Sequence, residues 1–257
     1  MLDHLGRYWR VVATAISFTV FGMCGLVLGL IVFPLLNLFV RAPARRIGLA
    51  RDVLRLTMRA FVGLMRVLGV LRYDIVGLDK LDRGGLLILA NHPTLIDTVF
   101  LMAFVKRPNC IVKSTLWHNP FMRGALRAAG YISNQGGVQL IADCIDSLRA
   151  GNNLIVFPEG TRTPACGAIT LKRGAANIAI RGRRAVTPVL IDCQPRSLGR
   201  GDKWWRVPVR HMQFTIEIRD DIDVARFTGD GVPNPIAVRQ LTEHLQRFFT
   251  EENRTNA

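Results

Sequence analysis

Two short stretches concentrate the residue types that move protons and hold anions. In the first, Leu86-Leu87-Ile88-Leu89-Ala90 runs into Asn91-His92-Pro93-Thr94-Leu95-Ile96-Asp97. Histidine titrates near neutral pH, and a carboxylate that accepts from one ring nitrogen leaves the other free to act as a base. Positions five apart on a regular helix point about 140° away from each other, so Asp97 reaches His92 only if His92 lies in a non-helical turn. Pro93 suits the first turn of a helix and places His92 at its entry, where a simple capping role fits equally well. In the second stretch, Leu154-Ile155-Val156-Phe157 runs into Pro158-Glu159-Gly160-Thr161-Arg162. Gly160 permits a tight turn and the Arg162 guanidinium can fork onto a phosphate. Glu159 and Arg162 would also make a local ion pair of small value.

Both stretches begin as short apolar runs, which read as buried strands. Further runs of that kind are Cys110–Val112, Val186–Ile191 and Phe214–Ile218. Between them, Val138, Ile141, Ala142, Ile145 and Leu148 keep helical spacing, with Gly151 as the stop. Arg173–Ile180 is rich in Gly and Ala, suited to close packing on a sheet, and a last helix is expected over Ile236–Phe249. Strands alternating with helices predict an α/β fold with a mixed, largely parallel sheet flanked by helices. Ligand sites in such sheets favour the carboxyl ends of strands, where both polar stretches begin.

The N-terminal region is of a different kind. From Val11 to Val40 there is no charged residue, a run of about 45 Å as a straight helix against a hydrocarbon core of about 30 Å. It predicts a membrane helix, or a helical hairpin in one leaflet if Pro34 breaks the run. The run is too long for a cleavable signal peptide. Arg51, Arg55 and Arg59 then recur every four residues on an otherwise apolar segment, the pattern of a basic amphipathic helix lying on anionic lipid. We expect a membrane-anchoring region over residues 1–71 and a catalytic domain over 72–257. The greater positive charge after the apolar run places that domain on the cytoplasmic side of an inner or plasma membrane.

The 257-residue chain has 34 Lys plus Arg against 19 Asp plus Glu, net +15, yet its mean hydropathy is +0.23. Charge and apolar residues must therefore be segregated. Residues 1–60 carry eight basic and two acidic residues and residues 111–200 carry twelve and four, whereas 201–257 are nearly balanced. Anionic partners follow: a phospholipid surface or a phosphorylated substrate. No nucleic-acid-binding signature accompanies the arginines. Cys24, Cys110, Cys144, Cys166 and Cys193 are scattered without a C-x-x-C pair, so neither a disulfide framework nor a metal site is expected. Lys203-Trp204-Trp205-Arg206 joins aromatics to positive charge, which suits a membrane interface or a pair of core tryptophans.

Asn91–Asp97, followed some 60 residues later by Phe157–Arg162, resembles the motif pair of the glycerolipid acyltransferase family, whose best-known members are the 1-acylglycerol-3-phosphate acyltransferases. The second motif matches in all six positions, the first in its His-x4-Asp frame, and Val186-Thr187-Pro188-Val189 is similar to a late strand of the family. The resemblance covers roughly residues 70–195. It implies transfer of a fatty acyl group from a thioester, acyl-CoA or acyl-ACP, to a hydroxyl of a lysophospholipid-type acceptor, with no cofactor. His92 would take the proton from the attacking hydroxyl and Asp97 would support the imidazole. Glu159, Gly160, Thr161 and Arg162 would bind the acceptor.

One position departs from the family pattern. Where its aromatic-Ile-x-Arg element carries a phosphate-holding arginine, this chain has Tyr131-Ile132-Ser133-Asn134. Asn134 is uncharged and cannot replace a guanidinium fork; Lys113, Arg123 or Arg127 would have to compensate. A different lipid or a carrier-bound hydroxyl is therefore a rival acceptor. Two other readings are a non-catalytic, membrane-anchored basic binding protein and a lipid-ester hydrolase, the latter lacking a nucleophile near His92.

Overall fold

The computed structural model describes residues 2–164, 169–229 and 232–255; Cys166 lies outside them. Its strands are β1 (Leu71–Val76), β2 (Leu87–Ala90), β3 (Pro108–Val112), β4 (Ile132–Ser133), β5 (Asn153–Val156), β6 (Val186–Gln194) and β7 (Met212–Ile218). They form one sheet in the order β1-β7-β6-β2-β5-β3-β4. Every pair is parallel except β6 with β7. The helices are α1 (Leu2–Val27), α2 (Phe33–Phe39), α3 (Pro43–Val67), α4 (Asp97–Phe104), α5 (Arg123–Ala128), α6 (Gly137–Arg149), α7 (Gly174–Gly182) and α8 (Asn234–Thr255). The expected mixed, largely parallel α/β sheet is therefore present. Its two edge strands, β1 and β4, were not legible as apolar runs.

β2 and β5 are buried along their whole length, as central parallel strands covered on both faces must be. Alternate side chains feed two separate cores. Ile88, Ala90, Ile155, Val189, Phe214 and Ile216 pack with α1, α3 and α4. Leu87, Leu89, Leu154, Val156 and Leu190 pack with α6, α7 and α8. In the first core Phe100 and Phe214 are fully buried with ring centroids 4.8 Å apart, each contributing about 1.5–3 kcal/mol by burial.

The apolar run is one helical rod, because a π-helical turn over Leu28–Val32 links α1 to α2. Pro34 lies in the first turn of α2. Proline removes one intrahelical bond and crowds the preceding turn, and a wider π turn just upstream accommodates it. Pro34 thus does not break the run; the chain reverses at Val40–Ala42, extended residues ahead of Pro43. α3 then returns along α1, with Phe21 and Phe61 at 5.0 Å.

One arginine of the α3 stripe requires a correction. Arg51 is only 5% exposed and donates to the carbonyls of Ala129 and Gly130 and to Asn152 Oδ1. Arg59 lies over the Phe104 ring and Arg66 over that of Tyr73. Arg51 thus knits α3 to the sheet domain rather than facing lipid, whereas Arg59 and Arg66 keep exposed side chains. A guanidinium binds backbone carbonyls and aromatic faces as readily as phosphates, and sequence spacing does not tell them apart.

Candidate active site

Because β2, β5, β3 and β4 are mutually parallel, their carboxyl ends share one edge of the sheet. That edge carries His92 just beyond β2, Glu159 just beyond β5, Lys113 directly after β3 and Asn134 directly after β4. The register Leu89 to Val156 sends the β2 and β5 loops out side by side, and the His92 ring stacks on Phe157 with centroids 4.3 Å apart.

Residues 91–96 form a loop, and α4 begins only at Asp97. Pro93 therefore precedes the helix instead of opening it. This loop is what allows a histidine and a carboxylate five apart to meet: His92 Nδ1 is 2.9 Å from Asp97 Oδ2. Asp97 is fully buried and held on both oxygens, by the Thr94 amide at 2.6 Å and the Thr94 hydroxyl at 2.5 Å. Its place in the first turn of α4 adds the favourable end of the helix dipole. Burial pushes the Asp97 pKa up, against the opposing pull of His92 and the two Thr94 bonds. His92 Nε2 makes no hydrogen bond among the described residues, and the side chain keeps 16% of its surface exposed.

A second set of bonds fixes the backbone of His92. Its N–H donates to Thr163 Oγ1 at 2.9 Å and, more weakly, to Glu159 Oε1 at 3.3 Å, while Thr163 donates its hydroxyl to the same Glu159 oxygen at 2.5 Å. The Thr163 amide donates to the His92 carbonyl at 2.7 Å. Upstream, the Asn91 side chain bridges the backbone N–H and C=O of Ile191 on β6. Glu159 is buried, and burial raises its pKa against the opposing bonds from Thr163 and His92. It braces the histidine loop, and no ion pair joins it to Arg162 among the described residues.

Arg162 places Nη1 on the carbonyls of Leu198 at 3.0 Å and Gly199 at 2.6 Å. One corner of its fork thus ties down the loop after β6. Thr161 lies half-buried in the same turn. Gly160 has φ +67°, and a Cβ there would come 2.8 Å from Lys172 Nζ. Lys172 is a cation at this edge that the two motifs did not disclose. At the other end of the edge Lys113 and Asn134 are exposed, and Asn134 Oδ1 accepts from the Ser114 amide at 3.0 Å.

Thr94, Thr163, Asn91 and Phe157 were not singled out as site residues. Thr94-x-x-Asp97 carries a readable signal, the Ser/Thr-x-x-Asp/Glu spacing of a capping box. Thr163 carries none, since its role depends on two loops meeting.

Residues 72–192 match the family model described as Acyltransferase. The chain is 28% identical over 207 residues to the 1-acyl-sn-glycerol-3-phosphate acyltransferase of Pseudomonas aeruginosa, covering 78% of this chain and 76% of that one. It is 32% identical over 126 residues to the enzyme of that name from Helicobacter pylori, covering 45% and 53%. With the Saccharomyces cerevisiae enzyme of that name it shares 29% over 149 residues, covering 53% and 48%. The matches thus span about half the length of the latter two relatives. The crystal structure of the 1-acyl-sn-glycerophosphate (LPA) acyltransferase from Thermotoga maritima superposes with a TM-score of 0.66 over 95% of this chain and 98% of that one, at 20% identity, a likeness of fold. With its two motifs at one sheet edge, the chain carries an acyltransferase domain over residues 72–192, is similar through it to 1-acyl-sn-glycerol-3-phosphate acyltransferases, and is an O-acyltransferase.

Proposed function

We propose that the protein transfers a fatty acyl group from an acyl thioester, acyl-CoA or acyl-ACP, to a hydroxyl of a lysophospholipid-type acceptor such as 1-acylglycerol-3-phosphate. The observation that carries this reading is the 2.9 Å contact of His92 Nδ1 with buried Asp97, which leaves Nε2 without a hydrogen-bond partner among the described residues. Nε2 takes the hydroxyl proton as the oxygen attacks the thioester carbon. Asp97 steadies the imidazolium formed, and collapse of the tetrahedral adduct expels the thiolate, which receives the proton back from Nε2. Positioned base catalysis of this kind contributes about 10²–10⁴-fold. No acyl-enzyme is required. Cys193 is the thiol whose pKa is raised in part by Asp97, and burial above all pushes it up to about 12, so it stays a poor nucleophile.

The lysophosphatidate acceptor is supported by the names of the relatives. The uncharged Asn134 favours a second reading, a lipid acceptor held without a guanidinium at that position. A screen with labelled acyl donor, read by lipid mass spectrometry, separates them. Product with lysophosphatidic acid alone supports the first, and product with phosphate-free lipids or other lysophospholipids the second. Release of free fatty acid without acceptor dependence would sink both.

The membrane role rests on Gly6–Phe39, apolar enough to cross a bilayer, with only 17% of its most apolar window buried. α1 and the π turn after it touch the sheet domain repeatedly between Arg10, which donates to the Pro208 carbonyl, and Gly29, which abuts Gly124. That is a length of about 30 Å. A segment so bound cannot also cross a bilayer that excludes the domain. We therefore infer that α1 and α2 lie along one leaflet, apolar face outward, on the cytoplasmic side of the inner or plasma membrane.

A further inference from the structure

The loop between β6 and β7 joins the catalytic edge to α1. At its near end Leu198 accepts from the Leu95 amide and, with Gly199, from Arg162; Arg196 donates to the Thr163 carbonyl. Leu198 is buried with φ +58°, a conformation that non-glycine residues hold only when their surroundings enforce it. At its far end Arg10 of α1 donates to the carbonyls of Pro208 and Val209. Between these anchors Trp204 packs edge-on against Phe18 of α1 and against Trp205, with centroids 6.4 and 5.6 Å apart, and Lys203 lies over the Trp205 ring. Trp204 and Trp205 nevertheless stay 42% and 49% exposed.

Two exposed indoles are costly in water unless something covers them, and tryptophan is favoured at the headgroup level of bilayers. The charge around them names the partner. Residues 195–210 hold Arg196, Arg200, Lys203, Arg206 and Arg210 against a single acid, Asp202, which is engaged by the Gly199 amide. The corner also adjoins the helix read above as lying in the membrane. Resting on that membrane reading, we propose that Lys203–Arg206 is a second bilayer contact, beside that of the N-terminal hairpin. Its indoles sit among anionic phospholipid headgroups, and the contact holds the catalytic loop at the lipid surface where the acceptor resides.

The test uses the full chain carrying W9F and W117F, so that only Trp204 and Trp205 fluoresce, with vesicles of phosphatidylglycerol and phosphatidylcholine containing brominated acyl chains. Fluorescence should be quenched, and less so at high salt as the cationic attraction is screened. In parallel, W204A/W205A should lose about tenfold in turnover of a vesicle-borne acceptor while retaining turnover of a monodisperse short-chain acceptor. Unquenched indoles on a protein that still floats with the vesicles overturn the inference and leave the membrane reading intact. A protein that floats with no vesicle overturns both. Equal loss on the two acceptor forms also overturns it, by assigning the corner to support of the catalytic loop alone.

Discussion

The two ends of the catalytic edge are built differently. Around β2 and β5, Asp97 and Glu159 are buried, each accepts at least two hydrogen bonds, and the histidine ring is clamped between Asp97 and Phe157. Around β3 and β4, Lys113 and Asn134 are exposed, β4 is two residues long, and the side-chain bonds at the surface among the described residues are exposed ones, from the Ser114 amide to Asn134 and from the Gln135 amide to Ser133. A buried polar network is costly to leave partly satisfied, so the first end has one geometry. An exposed edge tolerates substitution. On the proposed mechanism, proton transfer falls to the rigid constellation and acceptor choice to a surface that changes cheaply.

The sharpest way to break this contrast is His92→Ala. It should lower turnover by about 10²–10⁴-fold with unchanged circular dichroism and vesicle binding; near-normal turnover would remove His92 from the chemistry. Asp97→Asn should lower kcat about 10²-fold, a share of that same factor. Its stability should move the other way. Burial raises the folded pKa of Asp97, so as pH rises the unfolded chain releases this proton first. The stability the neutral carboxyl contributes is present below about pH 4, the unfolded value, and lost as pH rises through the folded pKa. Relative to wild type, Asp97→Asn should thus melt at least as high at pH 7, with the difference shrinking toward pH 4. A gap that widens on acidification would show that the hydrogen bonds outweigh burial.

Thr163→Val should be milder. It strips the hydroxyl donor from buried Glu159 and one acceptor from the His92 amide, costing about 1–3 kcal/mol in thermal or denaturant unfolding. Thr163→Ser should restore both bonds and the loss. The smallest effect is expected at the exposed end. Asn134→Arg should shift stability by no more than about 0.5 kcal/mol. It should lower KM for phosphate-bearing acceptors several-fold, by roughly 1 kcal/mol, with kcat unchanged. A change in kcat would mean that the two ends are mechanically coupled.

Legibility followed the same division. β2, β5 and β6 were visible as apolar runs because central parallel strands are buried on both faces. β1, whose exposed and buried residues alternate along an edge, and the two-residue β4 carry no such signal. The histidine and carboxylate could be named from type and spacing, with the condition that a non-helical turn bring them together. Glu159 and Arg162 could be named but not aimed. Glu159 turns to the His92 amide and Arg162 to a neighbouring loop because those partners lie 67 and 36 residues away in the chain. For the same reason Arg51 read as a lipid-facing charge until its acceptors at Ala129 and Asn152 were in view.

The order of residues along the chain was by itself enough to determine a parallel-rich α/β domain behind a long apolar helix, with a histidine–aspartate pair at a strand end. Local pattern carries that much, since burial of strands, the five-residue spacing and the uncharged run are properties of neighbours in sequence. Tertiary structure decided which cations meet protein and which stay exposed, that a π turn upstream accommodates Pro34 while the chain reverses at Val40–Ala42, and that Thr163 and Asn91 fix the His92 loop. Those outcomes depend on loops distant in sequence arriving at one sheet edge, where a donor's choice among carbonyl, carboxylate and phosphate is settled by what is within about 3 Å.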